Sequence, residues 1–126
     1  MSGMGFLAVG VGAALGAWLR WFFAVLWNAI YPALPYGTLA ANLLGGYLIG
    51  VAVGFFDTHT SLPPEWRLLA VTGFLGGLTT FSTFSSEVIA NILAGDYVIG
   101  VLHIVAHLGG SLFLTMVGLW SYRVLS

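Results

Sequence analysis

The chain is 126 residues long, 60% hydrophobic and only 6% charged, with a formal net charge of −1, and its mean hydropathy is +1.02. That composition belongs to an integral membrane protein, and about four spans of roughly 20 residues fill the length without leaving room for an extramembrane domain. Three basic residues, all arginine, make no patch for nucleic acid, and the absence of cysteine excludes disulfides, thiol catalysis and thiolate metal sites.

A first span is predicted over residues 4–30, with Gly10, Gly12 and Gly16 towards one end and Trp18, Trp21 and Trp27 towards the other. Small residues let helices approach closely, and tryptophans favour the membrane interface. The stretch has no positively charged leader and is too long for a signal-peptide core, so it is expected to be retained. Arg20 is costly in hydrocarbon and must snorkel or face water or a partner. Pro32 and Pro35 end the helix in a short loop.

A second span follows over 37–56, with Gly45, Gly46, Gly50 and Gly54 as packing positions. Thr38 and Asn42, four residues apart, share one face. Asn42 is the only amide in this span and admits two readings, an interhelical hydrogen bond or a donor facing a path. Residues 57–67 are the most polar stretch and are read as a loop in water, with His59 solvated.

The third span, 67–93, is predicted to be interrupted. Gly76 and Gly77 followed by Thr79 and Thr80 lower helix propensity. In lipid, freed backbone groups cost several kcal/mol each unless protein, ion or water satisfies them. Such a break belongs where protein encloses it or a polar path runs beside it, which marks residues 73–87 as the functional centre. Glu87 follows the break, either near a vestibule or buried and paired. The short turn Ala94-Gly95-Asp96 predicts that the third and fourth spans are antiparallel neighbours.

In the fourth span, 97–122, His103, His107, Ser111 and Thr115 recur every four residues and stack on one helix face. A lipid-facing polar stripe is penalised, so the pattern reads as a path-lining track rather than helix–helix glue alone. Histidines at i and i+4 can share a zinc ion, but no acidic or thiol partner lies beside them in the sequence. Arg67 and Arg123 fall on one side of the membrane and Arg20 nearer the other, which gives the positive-inside rule little to act on. A chain so balanced can insert both ways, and two opposed copies would recreate an inverted repeat.

Three blocks now stand together: Gly16-Ala17-Trp18-Leu19-Arg20, Gly37-Thr38-Leu39-Ala40-Ala41-Asn42-Leu43-Leu44-Gly45-Gly46, and Gly76-Gly77-Leu78-Thr79-Thr80-Phe81-Ser82-Thr83-Phe84. Together with the size and four-helix layout, they resemble the bacterial fluoride channels (CrcB/Fluc). The resemblance implies an all-α membrane protein, a single domain over residues 1–126 with four transmembrane helices and the third broken mid-membrane. It further implies an antiparallel dual-topology homodimer in the bacterial cytoplasmic (inner) membrane, with two fluoride pores that each take residues from both subunits. By likeness Asn42, Phe81 and Phe84 line the pores, and Ser111 and Thr115 fall on the fourth-helix polar track. Thr38, His103 and His107 complete the candidate pore set, and Arg20 and Glu87 are candidate vestibule charges. A structural Na+ at the dimer centre is implied too, held by backbone carbonyls of Gly76 and Thr79.

The physical reading agrees with the resemblance. A small, strongly hydrated anion needs replacement donors, which amide and hydroxyl groups supply, and phenylalanine rings present positive edges. Fluoride enters cells as the neutral acid and is trapped as the ion, so a passive channel suffices for export and relieves toxicity. No energy-coupling residue and no enzymatic chemistry are required. The partners expected are fluoride, sodium, a second copy and lipid, with no nucleic acid. A small multidrug-resistance type transporter would need an acidic residue in the first span, and residues 4–30 contain none. A structural subunit of a larger membrane complex would be inactive when purified alone.

Overall fold

The computed structural model describes residues 1–126 and contains only helices and their connections. Helix α1 (Gly3–Trp27) starts at Ser2, whose hydroxyl accepts the Gly5 N–H at 2.9 Å. Helix α2 spans Tyr36–Thr58. Helix α3 (residues 64–78) begins as Pro64–Arg67, widens into π-type turns over Leu68–Leu75 and closes with Gly76–Leu78. Helix α4 is Phe81–Leu93. Helix α5 (Tyr97–Leu125) carries a second π-type stretch at Val105–Gly109. Counting α3 and α4 as one segment, Pro64–Leu93, four segments are long and apolar enough to cross a membrane, as expected for a multi-pass membrane protein.

The third segment breaks at Thr79 and Thr80, whose backbones are extended (φ −87°, ψ 154° and φ −148°, ψ 115°). Gly76 and Gly77 themselves remain helical. The break thus falls in the threonine half of the low-propensity stretch, while the tertiary structure uses Gly77 for close approach: a Cβ there would collide with the backbone of Ala13. Gly12 and Gly16 likewise bring α1 onto the α3 backbone at Leu69 and Phe74. On the other side Gly50 lies against the Thr115 carbonyl, and Gly118 against that of Tyr47. Two backbone-to-backbone pairs therefore organise the chain, α1 with α3 and α2 with α5. Side chains add only a small fully buried cluster of Ala41, Leu75 and Leu78, as expected where lipid covers the outer apolar surface.

This packing corrects one expectation. The third and fourth segments are neighbours only in part, because α4 packs on the start of α5 while α3 turns to α1 and the rest of α5 to α2. The turn itself behaves as read. Gly95 adopts φ +77°, the Gly95 N–H donates to Ile92 O at 3.0 Å and the Asp96 N–H to Asn91 O at 2.9 Å. These two bonds form a Schellman cap, which reverses the chain in three residues and sets Asn91 beside His103.

If backbone contact at Gly50 holds α2 to α5, Gly50→Ala should destabilise the folded protein in detergent. Gly10→Ala should be neutral or stabilising by up to about 1 kcal/mol, since a Cβ there meets nothing within 4 Å. Thermal unfolding followed by size exclusion separates the two; equal tolerance at both positions would refute the packing argument.

Candidate functional site

The break in the third segment is closed by a side chain from α2. Asn42 Oδ1 accepts the Thr80 N–H at 2.7 Å, and Asn42 Nδ2 donates to the Thr80 carbonyl at 3.0 Å. One amide thereby satisfies both backbone groups of the extended residue, as a paired strand would. The second Nδ2 hydrogen goes to His107 Nδ1 at 2.9 Å. Of the two readings of Asn42 from sequence, the interhelical hydrogen bond is present, and the residue also lines a groove.

Local hydroxyls finish the closure. Thr79 Oγ1 donates to the Leu75 carbonyl at 2.9 Å, and Thr80 Oγ1 accepts the Thr83 N–H at 3.1 Å, capping α4. Arg20, read from sequence as a candidate vestibule charge, is half-buried and donates from Nε to the Gly77 carbonyl at 3.0 Å. It is spent on the exposed end of the first half-helix, where carbonyls carry partial negative charge.

A groove of about 490 Å³ runs beside the break, with Asn42, Phe81, Phe84, His107, Ser111 and Thr115 on its walls. Gly76 and Thr79 lie on it as well. Phe84 is buried and stacks on His107 with ring centroids 4.5 Å apart, while Phe81 meets Phe84 edge to face at 5.4 Å. Phe81 is 70% exposed. The hydroxyls of the fourth-span stripe turn to α2: Thr115 Oγ1 has the carbonyls of Gly46 at 2.8 Å and Ser111 at 2.9 Å. Ser111 Oγ reaches the Asn42 carbonyl at 3.5 Å.

Thr38, Glu87 and His103 lie outside this groove in a layer of their own. Asn28 Oδ1 accepts the Thr38 N–H at 3.0 Å, and the Thr38 hydroxyl donates to Glu87 Oε2 at 2.7 Å. Glu87 Oε1 lies 3.1 Å from His103 Nε2. An acidic partner therefore does stand beside the histidines, contrary to the sequence reading, because α4 carries residue 87 back across the start of α5. The far side of His103 is held by Asn91, whose Nδ2 donates to the Ala33 carbonyl at 2.7 Å and whose Oδ1 faces His103 Nδ1 at 2.9 Å. Nδ1 thus carries a proton, and one further proton lies between Nε2 and Oε1.

His107 is the opposite case. Its Nδ1 accepts from Asn42, so Nε2 carries the hydrogen, and that Nε2 is buried with no partner. A buried donor left this way costs about 1–3 kcal/mol. Sequence reasoning missed Asn28 and Asn91; the available signal was an isolated amide in or at the edge of an apolar span, the same signal that singled out Asn42.

The profile of CrcB-like proteins, described as Camphor Resistance (CrcB), matches residues 7–119. The chain belongs to the CrcB family. Its relatives include the fluoride-specific ion channel FluC of Ralstonia nicotianae, 90% identical over 125 residues and 99% of both chains. FluC of Cupriavidus metallidurans is 78% identical over the whole of both chains, and FluC of Pseudomonas putida is 53% identical over 95% of this chain and 94% of its own. In this CrcB protein the motif blocks that carry the likeness are those that build the clamp: Arg20 on the first, Asn42 on the second, and the Thr79-Thr80 break on the third.

Asn42→Ala should release the Thr80 N–H and C=O together. The expected loss is up to about 2–6 kcal/mol, the sum for two uncompensated groups, with faster amide exchange confined to residues 76–84. Unchanged protection across that peptide would show that the hydroxyls close the break without Asn42.

Proposed function

We propose that this chain is a fluoride-specific channel that lets the anion leave the bacterial cytoplasm passively and so relieves fluoride toxicity. The observation that carries the reading is full-length identity of 78–90% to relatives that bear that name. The geometry of the groove supports it. Phe84 spends one face on His107 and meets Phe81 edge to face, leaving ring edges with positive character along the wall. Asn42, Ser111 and Thr115 bring amide and hydroxyl hydrogens to the same wall. Thr38, His103 and Glu87 continue the polar column beyond Phe84, towards the end of the helices where Asn28 lies.

The functional unit, on this reading, is an antiparallel homodimer in the inner membrane, and the break at Thr79–Thr80 lies at mid-membrane depth. Support comes from Phe81, a pore candidate left 70% exposed by a single chain, and from the weak arginine bias. A sodium ion at the centre of such a dimer fits the residues present. Thr80 N–H, the helical donor for the Gly76 carbonyl, is diverted to Asn42, and the space around Gly76 is open, with nothing nearer to an added Cβ than Val71 O at 3.7 Å. Gly76 and Thr79 give a hard cation only two carbonyls per chain, so a second copy is needed to approach the six or so oxygens such ions take. The ion would supply fixed positive charge between the two broken helices.

Isoleucine keeps apolar bulk but has no ring quadrupole. Phe81→Ile and Phe84→Ile should therefore each cut fluoride efflux from liposomes severely while the protein elutes normally; normal flux in both would remove the rings from the pathway. For the dimer, tags on both termini should be accessible from both sides of the membrane in intact cells, and a single uniform orientation would sink the antiparallel arrangement.

A further inference from the structure

Glu87, His103 and His107 come from two helices and each offers one ligand atom, the three atoms lying within 4.8 Å of one another. Both imidazoles are buried, and the Glu87 side chain keeps 14% of its surface open. We propose that these three side chains form a site for a divalent transition metal of the zinc class, and that the bound metal blocks the groove. The binding part stands apart from the channel reading; the block rests on it.

His103 is presented as a metal ligand would be. Its Nδ1–H is held by Asn91 Oδ1, which leaves Nε2 pointing at Glu87, and metal-bound histidines are commonly fixed by such an outer hydrogen bond. The Nε2–Oε1 separation of 3.1 Å is close to the ~3.3 Å between two ligands on a tetrahedral zinc with bonds of about 2.0 Å. Thr38 donates to Oε2, so the other carboxylate oxygen is left for the ion. His107 Nε2 is buried and unpartnered, the one side-chain polar atom of this kind in the chain. Two histidines, one glutamate and a fourth open position make a familiar zinc set, and imidazole favours zinc over magnesium or calcium.

Binding must balance protons. The ion replaces the proton held between His103 Nε2 and Glu87 Oε1, and that proton leaves to solvent. To ligate through Nε2, His107 moves its ring proton to Nδ1. Asn42 Nδ2 donates to that nitrogen in this structure, so the bond breaks and Asn42 keeps only its contacts to Thr80. The metal then stands beside His107, which lines the groove and on whose ring Phe84 stacks.

The test uses the full-length protein carrying no polyhistidine tag, titrated with Zn2+ by calorimetry and examined by zinc X-ray absorption. A single zinc per chain with two imidazole nitrogens and carboxylate oxygen in its shell is expected. Glu87→Gln, which keeps the side chain's shape, and His103→Gln should each abolish that binding. Asn91→Ala should weaken it about 10–100-fold, the usual effect of removing an outer-shell partner. His59→Ala, in the exposed loop, should change nothing. Fluoride efflux should fall over the same zinc range and recover with chelator. Zinc that follows His59, or binds undiminished in folded Glu87→Gln, overturns the site; should His103→Gln fail to fold, Glu87→Gln still decides. Zinc bound as described but without effect on efflux keeps the site and overturns the block. A protein that conducts no fluoride at any zinc level refutes the channel reading, while the calorimetry still reads the site.

Discussion

The pairing of Asn42 with both backbone groups of Thr80 is the contact on which the rest of the site depends. A helix broken within hydrocarbon leaves N–H and C=O groups that lipid cannot satisfy. Here the Thr80 N–H and C=O and the Gly77 carbonyl are met by side chains arriving from two other helices, Asn42 from α2 and Arg20 from α1. Those side chains reach the break only because glycines on α1 and α3 allow their backbones to touch, and because Gly46 and Gly50 bring α5 onto α2. Glycine faces therefore set helix distances, distances set the clamp, and the clamp turns Phe81 and Phe84 towards the groove. The order matters for reading variants, since a bulky residue at Gly16 disturbs the site without touching it.

The interior is polar where the surface is apolar. Asn28, Thr38, Glu87, His103 and Asn91 form one connected layer, and Asn42, His107 and Thr80 a second. Ser111 and Thr115 continue along α5. Nearly every member has a partner, and the exception is His107 Nε2. A bundle held only by helix–helix glue has no need of a column this long, because single polar contacts between membrane helices are worth only about 1 kcal/mol.

Hydropathy made the four spans legible to within a few residues, since burial in lipid acts on each segment separately. The stripe at 103, 107, 111 and 115 was legible as one face, yet its strict spacing held more. On an ideal α-helix each four-residue step drifts about 40°, so three steps would carry Thr115 well round from His103. The π-type turns at Val105–Gly109 take more residues per revolution and offset that drift. Long-range pairs were not legible. Nothing local distinguishes a Glu87 that meets His103 from one that faces water, and the weak point at Thr79–Thr80 depends on a partner 38 residues away. Propensity marked the whole stretch from Gly76 to Thr80, within which Gly77 serves packing and the two threonines carry the break.

Apart from His107 Nε2, the donors along the groove are not bare, and on the proposed channel reading that suits passage better than free donors would. Thr115 already gives its proton to a carbonyl 2.8 Å away, and Asn42 uses both amide hydrogens. On the channel reading, an arriving anion would exchange one acceptor for another rather than quench an unpaired donor. Such exchanges are nearly neutral, since a typical internal hydrogen bond contributes a net of only about 1 kcal/mol against the alternative partner. A conducting site has to hold the ion strongly enough to replace its water and weakly enough to release it. An array of unsatisfied donors would fail the second condition and, in the absence of the ion, would burden the fold with buried groups lacking partners. On that reading, internal carbonyls held in reserve would meet both demands, taking the donors back as the ion moves on.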